Sequence, residues 1–375
     1  MRATAVRPLL AASLGLGLTL GLAMPAAAAV SKAVGTALQQ AQRAAASGNS
    51  GAAIAAVKNA QAAASTAEEK QKAAQMAGYV YTRAGQYAAA ANALQAAGAG
   101  PSQLAPLYYQ AGQYDRAIAE AKKAGGENMQ VLIAQASTKL GRPQQAIAAY
   151  QKLIASNGAK PLYLENLAGA QYKAGDKKGY LATTERLVRV DGSASRWKTL
   201  LVNFSQNSMR SEAKLALYHL MLATGTIERP QDWSEFTKLA LVAGQAGVAR
   251  TAVAKAGPAA DAQAQRLVEA AQQMTVKSAA EAPKLAAAPG TAVKGGNAYL
   301  GLGQYPQAIA AYDKAIAANA ADADQARVWK GIAALHAGNV SAGKAAFASV
   351  TDKAGMKDIA DLWTLYASTR GAIKG

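Results

Sequence analysis

The sequence predicts an all-α chain, a solenoid of stacked helix–turn–helix units. Three observations carry this reading. Gly-Gln-Tyr occurs three times in near-identical surroundings: RAGQYAAAANAL at 83–94, QAGQYDRAIAEA at 110–121 and GLGQYPQAIAAY at 301–312. The hexamer QAIAAY occurs at 145–150 and again at 307–312. Apolar or small residues recur at three- and four-residue steps on both sides of each Gly, which is the period of one helix before a turn and one after it.

The chain opens on a different pattern. Arg2 and Arg7 precede an apolar run, Leu9–Leu22, and then Met24-Pro25-Ala26-Ala27-Ala28-Ala29. This is the layout of a secretory signal peptide over residues 1–29, cut near Ala29, and the run is too short to span a bilayer comfortably. No cysteine follows it, which excludes a lipid-anchored product. The expectation is therefore an exported protein with no integral membrane segment after cleavage.

The repeats follow from residue 30. Around Gly303, Gly296 and Tyr299 lie before the turn and Tyr305, Ala308, Tyr312 and Ala315 after it. Gly ends the first helix because it takes positive φ without steric cost. Small residues at 296 and 308 let the paired helices approach closely. The same frame places turns at Gly48, Gly85, Gly112, Gly141, Gly175, Ser208, Gly244 and Gly338. Two short intervals, Gly85 to Gly112 and Gly112 to Gly141, predict helices clipped by about a turn. The long interval from Gly244 to Gly303 is read as one degenerate helix pair. The expected organisation is an N-terminal array over 30–258, that pair as a connector over 259–291, and C-terminal repeats over 292–352. A capping helix and tail complete it over 353–375. In the last segment Ile359, Leu362, Trp363, Leu365 and Tyr366 share one broad face, as a terminal helix covering an exposed core requires.

This pattern resembles the tetratricopeptide repeat, a helix–turn–helix unit of about 34 residues. The resemblance implies a right-handed superhelix whose first helices line a concave surface, where ligands lie. Residues offset from the packing positions are the expected groove contacts: Arg83, Tyr109, Gln135, Lys139, Asn166, Tyr172, Lys173, Lys198, Lys238 and Asn297. Lys and Arg mixed with Tyr and amides suit an anionic or polar extended ligand. The ordered Lys/Asn set with which such repeats clamp a C-terminal carboxylate is not found.

Composition limits the chemistry. There is no cysteine, so disulfides, thiolate nucleophiles and Cys-ligated metals are excluded. The two histidines, His219 in LYHLML and His336 in ALHAG, have no second ligand at helical spacing and read as structural. No HExxH, phosphate-binding loop, GxSxG or acid–base pair stands out. No catalytic residue, metal or cofactor is expected. The formal net charge is +18. Basic residues exceed acidic ones by 17 to 9 over 126–258, against 9 to 4 over 30–125 and 12 to 9 over 259–375. Such a surplus draws anionic partners. The expected function is a periplasmic scaffold that binds another protein or an acidic peptide in a bacterial cell envelope. The alternative is binding of an anionic envelope polymer, an exopolysaccharide or peptidoglycan. Nucleic acid is not expected.

Overall fold

The structure is a computed structural model, and it describes residues 30–257, 262–351, 356–371 and 373. The signal-peptide reading of residues 1–29 lies outside them. Among the described residues there are twenty α-helices and no strand. The chain divides into two compact units, Met1–Thr183 and Thr184–Gly375.

In the first unit, helix hairpins succeed one another: α1 (Lys32–Ala46) with α2 (Ser50–Ala63), α3 (Ala67–Arg83) with α4 (Tyr87–Ala96), α5 (Pro101–Gln110) with α6 (Tyr114–Ala124), and α7 (Glu127–Lys139) with α8 (Pro143–Asn157). Helix α9 (Pro161–Ala174) packs on α8, and α10 (Lys177–Val190) runs across the boundary between the units. The clipped helices fall where expected: α4 and α5 have 10 residues and α6 has 11.

The Gly-Gln-Tyr motif has a local explanation. At Gly303 the backbone has φ 75°, and the other seven glycine turns lie between 67° and 81°. The Gly303 N–H donates to Leu300 O at 3.1 Å and the Gln304 N–H to Tyr299 O at 2.9 Å. This pair of bonds, made across a left-handed Gly, satisfies the last carbonyls of the ending helix. Gln304 then caps the next helix and Tyr305 is its first residue.

The second unit contains α11 (Ala194–Phe204), α12 (Ser211–Thr224), α13 (Pro230–Val242), α14 (Ala246–Ala256), α15 (Ala262–Ala287), α16 (Ala292–Gly301), α17 (Tyr305–Ala317), α18 (Ala323–His336), α19 (Val340–Ala348) and α20 (Met356–Thr369). The degenerate pair expected over 259–291 is instead one 26-residue helix, α15, ended by a 3₁₀ turn at Pro289–Thr291. No Gly interrupts this helix, and Pro283 alone does not end it. Its last carbonyls are capped from outside: Lys314 Nζ donates to Ala286 O and Ala287 O at 3.1 and 3.0 Å, and Thr291 Oγ1 to Leu285 O at 2.7 Å.

The second unit closes on itself. Helix α20 packs on α18 and α19, as a cap should, but also reaches α12. Trp363 Nε1 donates to Ala216 O at 3.1 Å, and the Trp197 and Tyr366 rings lie 6.0 Å apart. Helix α12, which also meets α18, is buried without a break from Leu215 to Met221. Seven consecutive buried residues mean that this stretch of α12 has neighbours on every side, so part of what an open repeat array would expose is here covered by the chain itself.

Candidate functional site

A cleft of about 320 Å³ lies in the second unit, between α11 and α13 and floored by α12. Its floor is apolar: Leu217 and Met221 from α12, with Val202 of α11 at the rim. One wall is the start of α13 and the loop before it: Asp232 and Glu235 stand three residues apart, a spacing that puts side chains on one helix face, and Glu228 lies two residues before the helix begins. Lys198 of α11 and Lys214 of α12 face them. Lys198 Nζ meets both oxygens of Glu228 at 2.6 Å. Lys214 pairs with Glu235, which also accepts from Tyr218 Oη at 2.7 Å. Arg229 holds Asp232 through Nε and Nη2 at 2.8 and 2.6 Å.

Electrostatics follow from these contacts. Burial pushes the Glu235 carboxyl up, but the hydrogen bonds from Lys214 and Tyr218 outweigh it, and the group stays below its ordinary range. Burial, reinforced by the carboxylate of Glu235, drives the Tyr218 phenol far above its usual range, so it remains a donor. Three cations and three carboxylates thus neutralise one another around an apolar floor. A second, more open and polar cleft of about 570 Å³ lies where the α17–α18 turn meets the start of α12.

The ten residues expected to line a groove separate into groups. Lys198 lines the cleft. Arg83, Lys139, Tyr172, Lys173 and Lys238 are exposed on their helices. Tyr109 is half-buried, its ring edge-on to Tyr114 at 5.4 Å. Gln135, Asn166 and Asn297 are buried, at 2%, 3% and 3% exposure, and do not stand on an open face. Asn166 bonds Leu162 O, and Asn297 bonds Ala243 O and accepts from Tyr312. The physical reason is side-chain direction: at these positions, six residues before the turn for Gln135 and Asn297 and nine for Asn166, the side chain leans inward, and helical spacing alone does not separate that from the groove. The acidic wall was missed: the three-residue spacing of Asp232 and Glu235 was readable in the sequence, but the place of Glu228, in the loop before α13, was not.

Both histidines are packing residues. His219 Nε2 pairs with Gln245 Oε1 at 2.7 Å, and its ring lies edge-on to Phe236 and Trp329. His336 stacks on Tyr305 at 4.8 Å. Among the described residues no three His, Asp or Glu side chains group as metal ligands would, and no helix is long and apolar enough to cross a membrane.

Residues 131–194 and 293–356 match the profile of the tetratricopeptide repeat family. These two segments, which include the Gly141, Gly175, Gly303 and Gly338 turns, are similar to tetratricopeptide repeats. Among solved structures, the chain is similar to one in the structure of Naa15/Naa10 bound to HypK-THB, with 15% identity over 84% of this chain and a TM-score of 0.34. This chain spans 58% of that one. It is also similar to the tetratricopeptide domain of P58(IPK), with 11% identity, 90% and 80% of the two chains covered and a TM-score of 0.25. A tetratricopeptide repeat protein from Parabacteroides merdae gives 12% identity, 79% and 99% coverage and a TM-score of 0.21. No curated protein matches the sequence.

Proposed function

We propose that the protein is a non-catalytic scaffold that binds another protein or peptide in a bacterial cell envelope, after export and removal of residues 1–29. The observation that carries this reading is the tetratricopeptide repeat itself, a unit whose stacked helices offer a wide preformed surface. Two experiments test the two parts. Residues 1–29 fused to an alkaline phosphatase lacking its own leader should give active enzyme; a silent fusion removes the export reading. Mature protein carrying a photo-crosslinker at Lys238 or Lys173 should trap a discrete partner from envelope fractions. Crosslinks no richer than those of a scrambled-surface control overturn the scaffold.

The net charge favours a second reading, an anionic envelope polymer as the ligand. Alginate is a suitable probe. Its retention should fall steeply with ionic strength if the charge is responsible, and retention flat in salt sinks this alternative.

A further inference from the structure

Glu69 stands on the buried stripe of α3, in line with Ala73, Ala77 and Val80, and is 4% exposed. Its two oxygens do different work. Oε2 accepts from Ser65 N at 2.9 Å, Ser65 Oγ at 3.0 Å and Thr66 N at 3.2 Å, which closes the capping box at the start of α3. Oε1 turns to a different element and accepts from Ser31 N at 2.8 Å, at the residue before α1. A carboxylate offers about four acceptor sites, so Oε1 has room for a second donor. These donors are all neutral. Hydrogen bonds from Ser31, and then from Ser65 and Thr66, hold the Glu69 carboxyl well below its ordinary range, so it is charged at neutral pH. The other charged groups at this end of the three helices are Lys32 on α1, Lys58 on α2, and Glu68, Lys70 and Lys72 on α3. Lys72 is engaged by Glu68 at 2.6 Å, and among the described residues no lysine pairs with Glu69. Val30, just before Ser31, is already part of the fold: its side chain is partly buried against Val34, Ala37, Ala60, Ala64 and Ala73.

We propose that Glu69 is the receptor for a new N-terminus: cutting the chain between Ala29 and Val30 creates an α-ammonium group on Val30 that pairs with Glu69 Oε1. The proposal rests on the export reading of residues 1–29. Hydrolysis of that peptide bond by a leader peptidase consumes one water, leaves a carboxylate on Ala29 and frees the Val30 amine, which holds a proton below about pH 8. Covalent geometry keeps the Val30 nitrogen within about 4 Å of the Ser31 nitrogen, which is itself 2.8 Å from Oε1. The charge is therefore born beside the carboxylate, and the seated Val30 side chain keeps it there. Before the cut the same nitrogen is a neutral amide and supplies no counter-charge. A buried carboxylate met only by neutral donors gains from a cation next to it, so removal of the leader tightens the start of α1 against α3. The pairing raises the α-ammonium pKa above its unfolded value. Its stabilisation is thus full below about pH 8 and is lost as pH rises through the folded pKa.

The test compares a chain beginning at Val30 with one beginning at Ala27, which moves the amine three residues away. Competitive acetylation with trace acetic anhydride, read by mass spectrometry of the N-terminal peptide, gives the pKa of each α-amine. In the Val30 chain it should lie at least about 0.5 above the ordinary 7.7–8.0, and in the Ala27 chain within that range. The urea midpoint at pH 7 should be higher for the Val30 chain. That difference should vanish in Glu69→Gln and should shrink as pH rises past the pKa of the amine. An ordinary pKa in the Val30 chain, equal midpoints, or a difference that survives Glu69→Gln overturns the proposal. Should Glu69→Gln fail to fold, the pKa in the parent decides alone. N-terminal sequencing of the exported protein should begin at Val30, and another first residue also overturns it. An active phosphatase fusion with an ordinary pKa faults the pairing and leaves export standing; a silent fusion with a raised pKa faults the export reading instead.

Discussion

Two amide–tyrosine pairs hold the same place in two repeats and behave differently. Gln135 and Tyr150 stand six before and nine after Gly141; Asn297 and Tyr312 stand six before and nine after Gly303. Tyr312 Oη donates to Asn297 Oδ1 at 2.9 Å, and Asn297 Nδ2 to Ala243 O at 2.8 Å. In the earlier repeat both amide atoms of Gln135 and the hydroxyl of Tyr150 are buried without a hydrogen-bond partner. Replacing Asn297 by Leu strands the Tyr312 hydroxyl and the Ala243 carbonyl and should cost about 1–3 kcal/mol in urea denaturation. Replacing Gln135 by Leu removes two unpaired groups and should be neutral or stabilising; a loss as large as that of Asn297→Leu contradicts the pairing argument. The histidines give a pH dependence. Burial pushes His219 down to about 3 and His336 to about 4, against about 6.5 in an unfolded chain. The folded form therefore binds fewer protons than the unfolded one between about pH 3 and 6.5, so stability is full above that window and is lost as pH falls through it. The urea midpoint should drop between pH 7 and pH 4, and less so in His219→Gln than in the parent.

At the scale of the element, the small positions of the repeat were legible, but the large side chains that fill them and the helix in the long interval were not. Gly78, Gly296 and Gly331 each sit sixteen residues before the side chain they admit: Leu94, Tyr312 and Phe347. A Cβ at Gly331 would come within 2.3 Å of the Phe347 ring, whereas one at Gly35, inside α1, would meet nothing within 4 Å. Gly331→Ala should therefore destabilise through overpacking, by about 1–3 kcal/mol. Gly35→Ala should stabilise by up to about 1 kcal/mol, because Ala is the better helix former. Thermal unfolding of the two variants side by side checks both signs. These glycines could be read because a repeat shows the same spacing several times. The long interval from Gly244 to Gly303 holds two apolar periodic stretches, 261–274 and 278–288, and these suggested two helices. What decides the matter there is the lack of a residue able to turn, which leaves α15 unbroken over 26 residues. The cleft was half readable: Asp232 and Glu235 share a face by their spacing on α13, but that Glu228 stands beside them and Lys198 and Lys214 opposite depends on how α11, α12, α13 and the loop before α13 pack.

For the whole chain, the division at Thr183–Thr184 had no sequence marker, because a helix, α10, carries the chain across it. What makes the second unit a body of its own is its closure, and closure is a long-range contact that no local pattern announces. Helix α20 supplies it. Ile359, Trp363 and Tyr366 are buried, Trp363 bonds Ala216 O across 147 residues, and Arg370 Nη2 bonds Gly192 O at 2.6 Å. Without α20, the face of α12 around Ala216 and the adjoining face of α18 would be exposed to water, and both are lined by buried apolar residues. Burial of large apolar side chains of this kind is worth about 1.5–3 kcal/mol each, so the loss of several exceeds the margin by which a domain is folded. A chain ending at Thr351 should keep the helical signal and the cooperative unfolding of the first unit. It should lose the protection of α12 and α18 against amide hydrogen exchange. Exchange in those two helices as slow as in the full chain would show that α20 is an accessory and that the second unit is closed by something else.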